Sequence, residues 1–462
     1  MAQGETALRR GLRRRHMTMI GLGGVIGAGL FVSSGAVISM AGPASIVAYA
    51  VGGVIVVLVM RMLGEMAAAH PTTGSFSRYA ELALGRWAGF LVGWSYWYFA
   101  VAVIAFESVA GARLASGVVP GLPVWLGAPV LLLVLTAANL VSVRVFGETE
   151  FWLASVKVTL VVGFLAVGVL YLVGLWPHGG VGLSALTGHG GFAPHGWPAV
   201  LAALVTVIFS YFGAEIVTIA AAESDEPARE VARATVRVVW RVLAFYVGSI
   251  FLIVAVVPWN KVPANGEDSP FAAAIGAFGI PGASGLMTAV VLVAVLSILN
   301  AGIYGSSRML MSLAERGDAP AALARVRPSG VPAPAILAGS GLALVIVAVA
   351  GLLSPDEIFS FLLNASGLLT LILYLFIAVS QLRLRARTDP ATLQVRMWGH
   401  PWLSWAVLAL LGAALLAVTT SPGVGPIVLG VLVILAVTLL AYAVRARLGR
   451  TAPPIIDSLE VS

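Results

Sequence analysis

Cysteine is missing from this chain, and charge is scarce. With no cysteine in 462 residues, disulfides and thiolate metal centres are excluded. Only 10% of the residues are charged, against about a quarter in water-soluble domains. Meanwhile 60% are hydrophobic and the mean hydropathy is +1.00. No soluble domain of this length looks like that, so the chain reads as a polytopic α-helical membrane protein. Lysine is nearly absent too: the 27 basic residues are 25 arginines and two lysines, Lys157 and Lys261. No G-x-x-x-x-G-K-S/T phosphate loop occurs, and no segment is large enough for a nucleotide-hydrolysing module. The basic start leads into a full-length apolar run without a small-residue cleavage site, so no cleavable signal peptide is expected.

What is present is apolar runs. Taking about 20 residues as the length that crosses a bilayer, twelve spans are expected. Their limits are 17–40, 43–66, 86–112, 124–143, 151–176, 198–222, 235–258, 284–312, 333–353, 358–381, 401–420 and 424–445. The charges test this topology. With the N-terminus inside, 24 of the 27 basic residues fall in inside segments, as cytoplasmic loops require. Arg113 and Lys261 fall outside and Lys157 within a span. The net charge of +7 is therefore a matter of membrane orientation, and no nucleic-acid partner is expected. Both termini are expected in the cytoplasm, as a tail over 1–16 and another over 447–462. Two outside segments are longer. The one at 177–197 carries His178, His189 and His195, whose spacing matches no zinc signature. The other spans 259–283. After the sixth span, Ser224 or Asp225 is expected to cap the following helix.

One stretch stands out near the start. Five glycines fall within Gly21 to Gly29, inside the first span. Glycine costs roughly 1 kcal/mol relative to alanine in a helix, so the cluster invites the helix to open. Open backbone at membrane depth is tolerated only where it lines a protein cavity, and freed N–H groups there can hold a carboxylate. A second reading stands beside it, since Gly23 and Gly27 form a GxxxG pattern that brings helices close. The sixth span carries a similar weak point, Phe209-Ser210-Tyr211-Phe212-Gly213-Ala214-Glu215. Weak helices in the first and sixth spans are the pattern of a five-plus-five inverted repeat.

Three charges lie away from the ends of their spans: Glu107, Lys157 and Glu215. Each costs at least ~2.5 kcal/mol at mid-bilayer on insertion scales, so each is a functional candidate. Lysine can lose a proton when desolvated and arginine cannot. Lys157 is therefore a proton carrier or a fixed cation at an ion site. Glu107 and Glu215 are proton-coupling or gating candidates; Glu107 is open to a second reading, as a solvated residue near the outer boundary beside Arg113. No nucleophile–base or metal motif appears at membrane depth, which argues against an enzyme, and no filter-like loop supports a channel.

Several stretches are similar to those of bacterial amino acid permeases, members of the amino acid–polyamine–organocation superfamily. They are the run from Arg13 to Phe31, Gly64-Glu65-Met66 with 71–76, and Glu150-Phe151-Trp152-Leu153. Ser307-Arg308-Met309-Leu310 belongs with them. Gly213 to Asp225, and Arg396-Met397-Trp398 before Pro401-Trp402-Leu403, resemble the 4-aminobutyrate permease branch. The likeness covers 8–447.

The resemblance implies a LeuT-type fold of twelve transmembrane helices: a ten-helix core over 17–400 with inverted repeats at about 17–176 and 198–381, then two helices over 401–446. It implies proton symport of a small amino acid by alternating access in a bacterial plasma membrane, with the proton as coupling ion and no other cofactor. The partners are the substrate and the lipid bilayer; nothing calls for an obligate protein partner. By position, Gly23, Gly24, Val25, Ile26 and Gly27 would offer backbone to the substrate carboxylate. Phe209, Ser210 and Phe212 would contact its amine and chain. Lys157 matches a lysine that stands where sodium-coupled members hold an ion, and its expected partners are carbonyls near Gly23 and Gly24. Glu215 matches an acidic residue linked to gating, and Glu107 a third-span glutamate. Ala28 stands where many relatives have threonine, which removes a carboxylate donor and leaves room for an ω-amino acid. The substrate expectation is 4-aminobutyrate; the alternative is an ordinary α-amino acid such as proline or an aromatic one.

Overall fold

A computed structural model describes residues 14–448 except 71, 73, 120, 178, 180–182, 222–226, 264–268, 353–354 and 421–423. Ser224, Asp225, His178 and both tails beyond these limits therefore lie outside the described residues.

Helices account for the regular structure among the described residues. The first apolar run forms three pieces, α1 (Arg14–Gly23), α2 (Ala28–Phe31) and α3 (Ser34–Ala41), followed by α4 (Ser45–Ala69). A short α5 (Ser75–Leu84) turns at Gly85, whose φ of +99° suits glycine, into α6 (Arg86–Val118). Then come α7 (Val124–Asn139) and α8 (Val143–Leu172), the latter capped by Ser142, whose hydroxyl accepts from Val145 N at 3.1 Å. The sixth run is again split, into α9 (Gly196–Ser210) and α10 (Ile216–Ala221). After these come α11 (Pro227–Val256), α12 (Pro270–Ala277) and α13 (Ala283–Glu315). The chain continues through α14 (Ala333–Leu352), α15 (Pro355–Arg385), α16 (Trp402–Thr419) and α17 (Gly425–Arg447). Seven helical stretches among the described residues are long and apolar enough to cross a membrane, with shorter apolar helices beside them.

Packing places the core between distant elements. α6 lies along α13, α4 along α11, and α7 along α14. α1 packs on α8 and α11, and α6 is also flanked by α15. The periphery is apolar and open: Trp402 is 81% exposed and Leu440 65%. In water such a surface would drive aggregation; in a bilayer it is the lipid face. Aromatic and small side chains fill the centre, where Tyr49, Tyr96, Tyr246, Tyr304 and Phe106 are buried.

Candidate functional site

The two broken runs meet. Residues 24–27 lie between α1 and α2, and residues 211–215 lie between α9 and α10. α1 packs on α10, while α2 and α3 pack on α9, so the halves cross in opposite directions. Gly213 has φ +100°, and a Cβ there would run into the Gly24 carbonyl. Glycine is thus required by conformation and by space at the point where the two breaks touch. Ser210 Oγ lies within donor distance of Gly29 O (2.8 Å) and Thr206 O (2.9 Å). The GxxxG reading also holds: Gly23 lets α1 approach Ala154 and Glu150 of α8, and Gly27 lies against Ile298 of α13. Close packing and a broken helix coexist in one stretch.

Each break leaves backbone to be satisfied. Among the described residues, the N–H groups of Val25, Ile26 and Gly27 make no backbone hydrogen bond, whereas Gly24 N still donates to Ile20 O at 2.8 Å. The freed carbonyls are held by side chains from afar. Lys157 of α8 is fully buried. Its Nζ donates to Gly23 O, to Ile26 O at 2.9 Å and to Ser297 Oγ at 2.8 Å, which uses all three ammonium hydrogens. The expected contact to Gly23 is present; the second carbonyl is that of Ile26, not Gly24. The Tyr246 hydroxyl lies 2.9 Å from Val25 O and 2.6 Å from Ser210 O, reaching both breaks at once.

Between the breaks lies a narrow cleft lined by Val25, Gly27, Gly29, Val103, Glu107, Phe209, Ser210, Phe212 and Ile298. Of the residues expected at the site, Val25, Gly27, Phe209, Ser210, Phe212 and Glu107 line it. Gly23, Gly24 and Ile26 do not line it: Gly23 lies against Ala154 and Glu150 of α8, Gly24 against Gly213, and the Ile26 carbonyl accepts from Lys157. The side chain of Ala28 lies outside the described residues. Glu107 is 2% exposed, which corrects its reading as a solvated residue near the boundary. Its helix, α6, is buried there against the centre of the molecule, so the carboxyl faces the cleft. Phe212 meets Phe99 edge-on at 4.2 Å, and Phe209 meets Phe106 at 5.8 Å, fixing both rings as walls.

Glu215 is placed otherwise. Its carboxylate accepts from Gly213 N at 3.3 and 3.2 Å, at the start of α10, and lies outside the cleft lining. The bond folds the side chain back onto the turn between α9 and α10. Thr218 Oγ1 donates to Glu215 O at 2.7 Å and pairs with Ser75 Oγ at 2.8 Å, linking this turn to α5.

The model of the amino acid permease family matches residues 16–446. The chain belongs to the amino acid permease family. Similar proteins include the gamma-aminobutyric acid permease of Bacillus subtilis, 48% identical over 417 residues, covering 89% of this chain and 88% of the relative. The gamma-aminobutyric acid permease of Escherichia coli is 46% identical, with 89% of each chain covered. The aromatic amino acid transport protein AroP of Corynebacterium glutamicum is 43% identical, again with 89% of each covered. This permease is a multi-pass membrane protein that moves amino acids.

The permease also holds polar residues that sequence reasoning passed over. Glu150, fully buried, accepts from Ser297 Oγ and from Asn300 Nδ2 at 3.2 Å. Asn139 Nδ2 in turn donates to Asn300 Oδ1 at 2.8 Å. The signal was present, because Glu150 precedes Lys157 by seven residues, two helical turns on one face. It was missed because the fifth span was expected to begin at 151, whereas α8 begins at Val143. Tyr246 gave no signal, since a tyrosine in an apolar run is ordinary core. Two motifs read separately prove to be partners. The buried Glu65 carboxylate accepts from Met397 N at 2.6 Å and from Gln381 Nε2 at 2.9 Å. Arg61 stacks over Trp398 at 4.9 Å.

At one end of the core sits a cluster of ion pairs. Arg86 meets Asp318 at 2.8 Å, Arg316 meets Glu81 at 3.0 Å, and Arg78 meets Glu81 at 2.9 Å. Arg316 also donates to Ser77 Oγ at 2.8 Å. The cluster ties α5 to the end of α13. At the start of α1, Arg15 and His16 both meet Glu148 of α8. His189 and His195 form no metal cluster among the described residues.

Proposed function

We propose that this permease imports 4-aminobutyrate by proton symport with alternating access, with Lys157 as the coupling cation. The observation that carries the reading is the buried ammonium of Lys157 on the Gly23 and Ile26 carbonyls, inside the first break. An ammonium there does what a bound sodium ion would do. It holds freed carbonyls in place, and a lysine can release its proton where an arginine cannot.

The substrate carboxylate is assigned to the unpaired N–H groups of Val25, Ile26 and Gly27. The ammonium is assigned to Ser210 and the carbonyls of the sixth segment, with Phe209 and Phe212 against the methylenes. Glu107 supplies the cleft's negative charge. The names of the two gamma-aminobutyric acid permeases support this substrate. The reading also takes alanine at position 28 as smaller than the threonine of the family pattern that this stretch resembles. A second reading, an aromatic α-amino acid, rests on the likeness to AroP.

The proposed architecture is LeuT-type, with twelve transmembrane helices and inverted repeats over about 17–176 and 198–381. It is supported by the pairings of segment one with six, two with seven, three with eight and four with nine. The core runs from 17 to 400, the last two helices occupy 401–446, and the tails lie over 1–16 and 447–462. Both tails face the cytoplasm of a bacterium, on the strength of the arginine distribution. In this reading the protein is a transporter and not an enzyme, and its only cofactor is the proton.

The test is uptake of labelled 4-aminobutyrate by the purified permease in liposomes. Acidifying the outside should drive accumulation, and unlabelled 4-aminobutyrate should compete better than alanine, proline or phenylalanine. Equal uptake with and without the gradient removes proton symport. Better competition by an α-amino acid removes the substrate assignment. Ala28→Thr should weaken 4-aminobutyrate uptake more than uptake of a short α-amino acid.

A further inference from the structure

The coupling cation does not end at its carbonyls. Lys157 Nζ donates to Ser297 Oγ at 2.8 Å, and Ser297 Oγ donates onward to Glu150 Oε1. The serine hydroxyl thus stands between an ammonium and a carboxylate, all three fully buried. The other carboxylate oxygen is held by Asn300, whose own carbonyl is fixed by Asn139. The amide nitrogen of Asn300 is thereby turned toward Glu150. Four helices, α1, α7, α8 and α13, converge on this row. Gly23 makes the convergence possible, since a Cβ at that position would stand 2.8 Å from Glu150 Oε1.

We propose that Glu150 is the immediate proton acceptor for Lys157, with Ser297 as the relay between them. The inference rests on the proton-coupled reading of Lys157 and deepens it. The transfer balances without any further reactant. One Nζ–H bond breaks, its electron pair staying on nitrogen, as that proton bonds to Ser297 Oγ. The original Ser297 O–H bond breaks as its proton bonds to Glu150 Oε1, using a carboxylate lone pair. Serine ends as it began, and an ion pair has become a neutral amine and a neutral acid. In a dry interior these two states are close in energy, because each ion is costly to bury and their attraction offsets that cost.

The consequence falls on the first break. A neutral amine donates weaker hydrogen bonds than an ammonium, so the hold on the Gly23 and Ile26 carbonyls loosens when the proton sits on Glu150. The other titratable groups nearby have other work. Glu107 of α6 faces the cleft, Tyr246 of α11 is committed to Val25 and Ser210, and His16 of α1 pairs with Glu148.

The experiment uses the full permease in liposomes with labelled 4-aminobutyrate and two readouts. One is accumulation driven by an inward proton gradient. The other is exchange of internal for external substrate at equal pH, which needs no net proton release. Glu150→Gln keeps shape but cannot accept the proton. It should lose accumulation by about 10²-fold, the scale of a lost proton-transfer group, while exchange stays near wild type. Ser297→Ala should show the same split more mildly, and Glu150→Asp should recover part of the accumulation. Wild-type accumulation by Glu150→Gln overturns the inference. So does loss of exchange and accumulation alike in both Glu150→Gln and Glu150→Asp, which marks a structural role. Wild-type accumulation indifferent to the gradient instead overturns the proton-coupled reading itself, a result visible before any variant is made.

Discussion

Gly213 packs on Gly24 so closely that no side chain fits between the two broken segments. The contact joins residues 189 positions apart in the chain and sets the geometry of the cleft. Gly213→Ala would place a Cβ into the Gly24 carbonyl and force alanine to φ +100°. Strain of this kind costs about 1–3 kcal/mol. Uptake should fall sharply and the thermal midpoint of the purified protein should drop. Unchanged uptake and midpoint would show that the breaks separate freely.

Lys157→Arg keeps the charge but changes the chemistry. A planar guanidinium cannot give up its proton and cannot direct three donors at Gly23 O, Ile26 O and Ser297 Oγ from the same point. Gradient-driven accumulation should be lost as completely as in Lys157→Ala. The alanine variant also leaves Glu150 buried without its cation, at a cost of about 3–5 kcal/mol. Accumulation by the arginine variant at the wild-type level would sink the coupling role.

Tyr246→Phe removes one oxygen and leaves the ring in place against Tyr211, 4.4 Å away. The carbonyls of Val25 and Ser210 then lose their shared donor. Leaving buried acceptors unsatisfied costs about 1–3 kcal/mol. The variant should fold, and substrate affinity in a binding assay should fall by about tenfold, within that range. Wild-type affinity would mean that the bridge between the breaks is dispensable.

Arg316→Ala should loosen the end of the core where α5 meets α13. It frees Ser77, leaves Glu81 to Arg78 and leaves Asp318 to Arg86. A chain without cysteine makes this directly measurable. A single reporter, Val103→Cys in the cleft wall, should be labelled several-fold faster by a water-soluble maleimide when Arg316 is replaced. Partly exposed pairs are worth about 1 kcal/mol, so a change of about fivefold in labelling rate is the expected scale. An unchanged rate would mean that this cluster does not hold the cleft shut.

The sequence by itself determined the class of protein, the position of the apolar runs, the weak point at Gly21–Gly29 and the singular Lys157. These follow from local rules: length against bilayer thickness, helix propensity, and the rarity of charge in lipid. It also carried the family, through short motifs that need no third dimension. Only the tertiary structure decided what those residues do to one another. Lys157 meets carbonyls 134 and 131 positions away, and Tyr246 reaches a carbonyl 221 positions away; no periodicity encodes such pairs. Glu215 reads from sequence as a coupling or gating candidate, and only the structure shows its carboxylate folded back onto Gly213 N in the turn before α10. Whether Glu107 is solvated or enclosed was open in the sequence; it is buried because α6 is covered by α13 and α15. Glu150 was hidden because the fifth span was expected to begin at 151, whereas α8 begins at Val143. Burial of a polar group is a property of the partners that cover it, and those partners are distant in sequence.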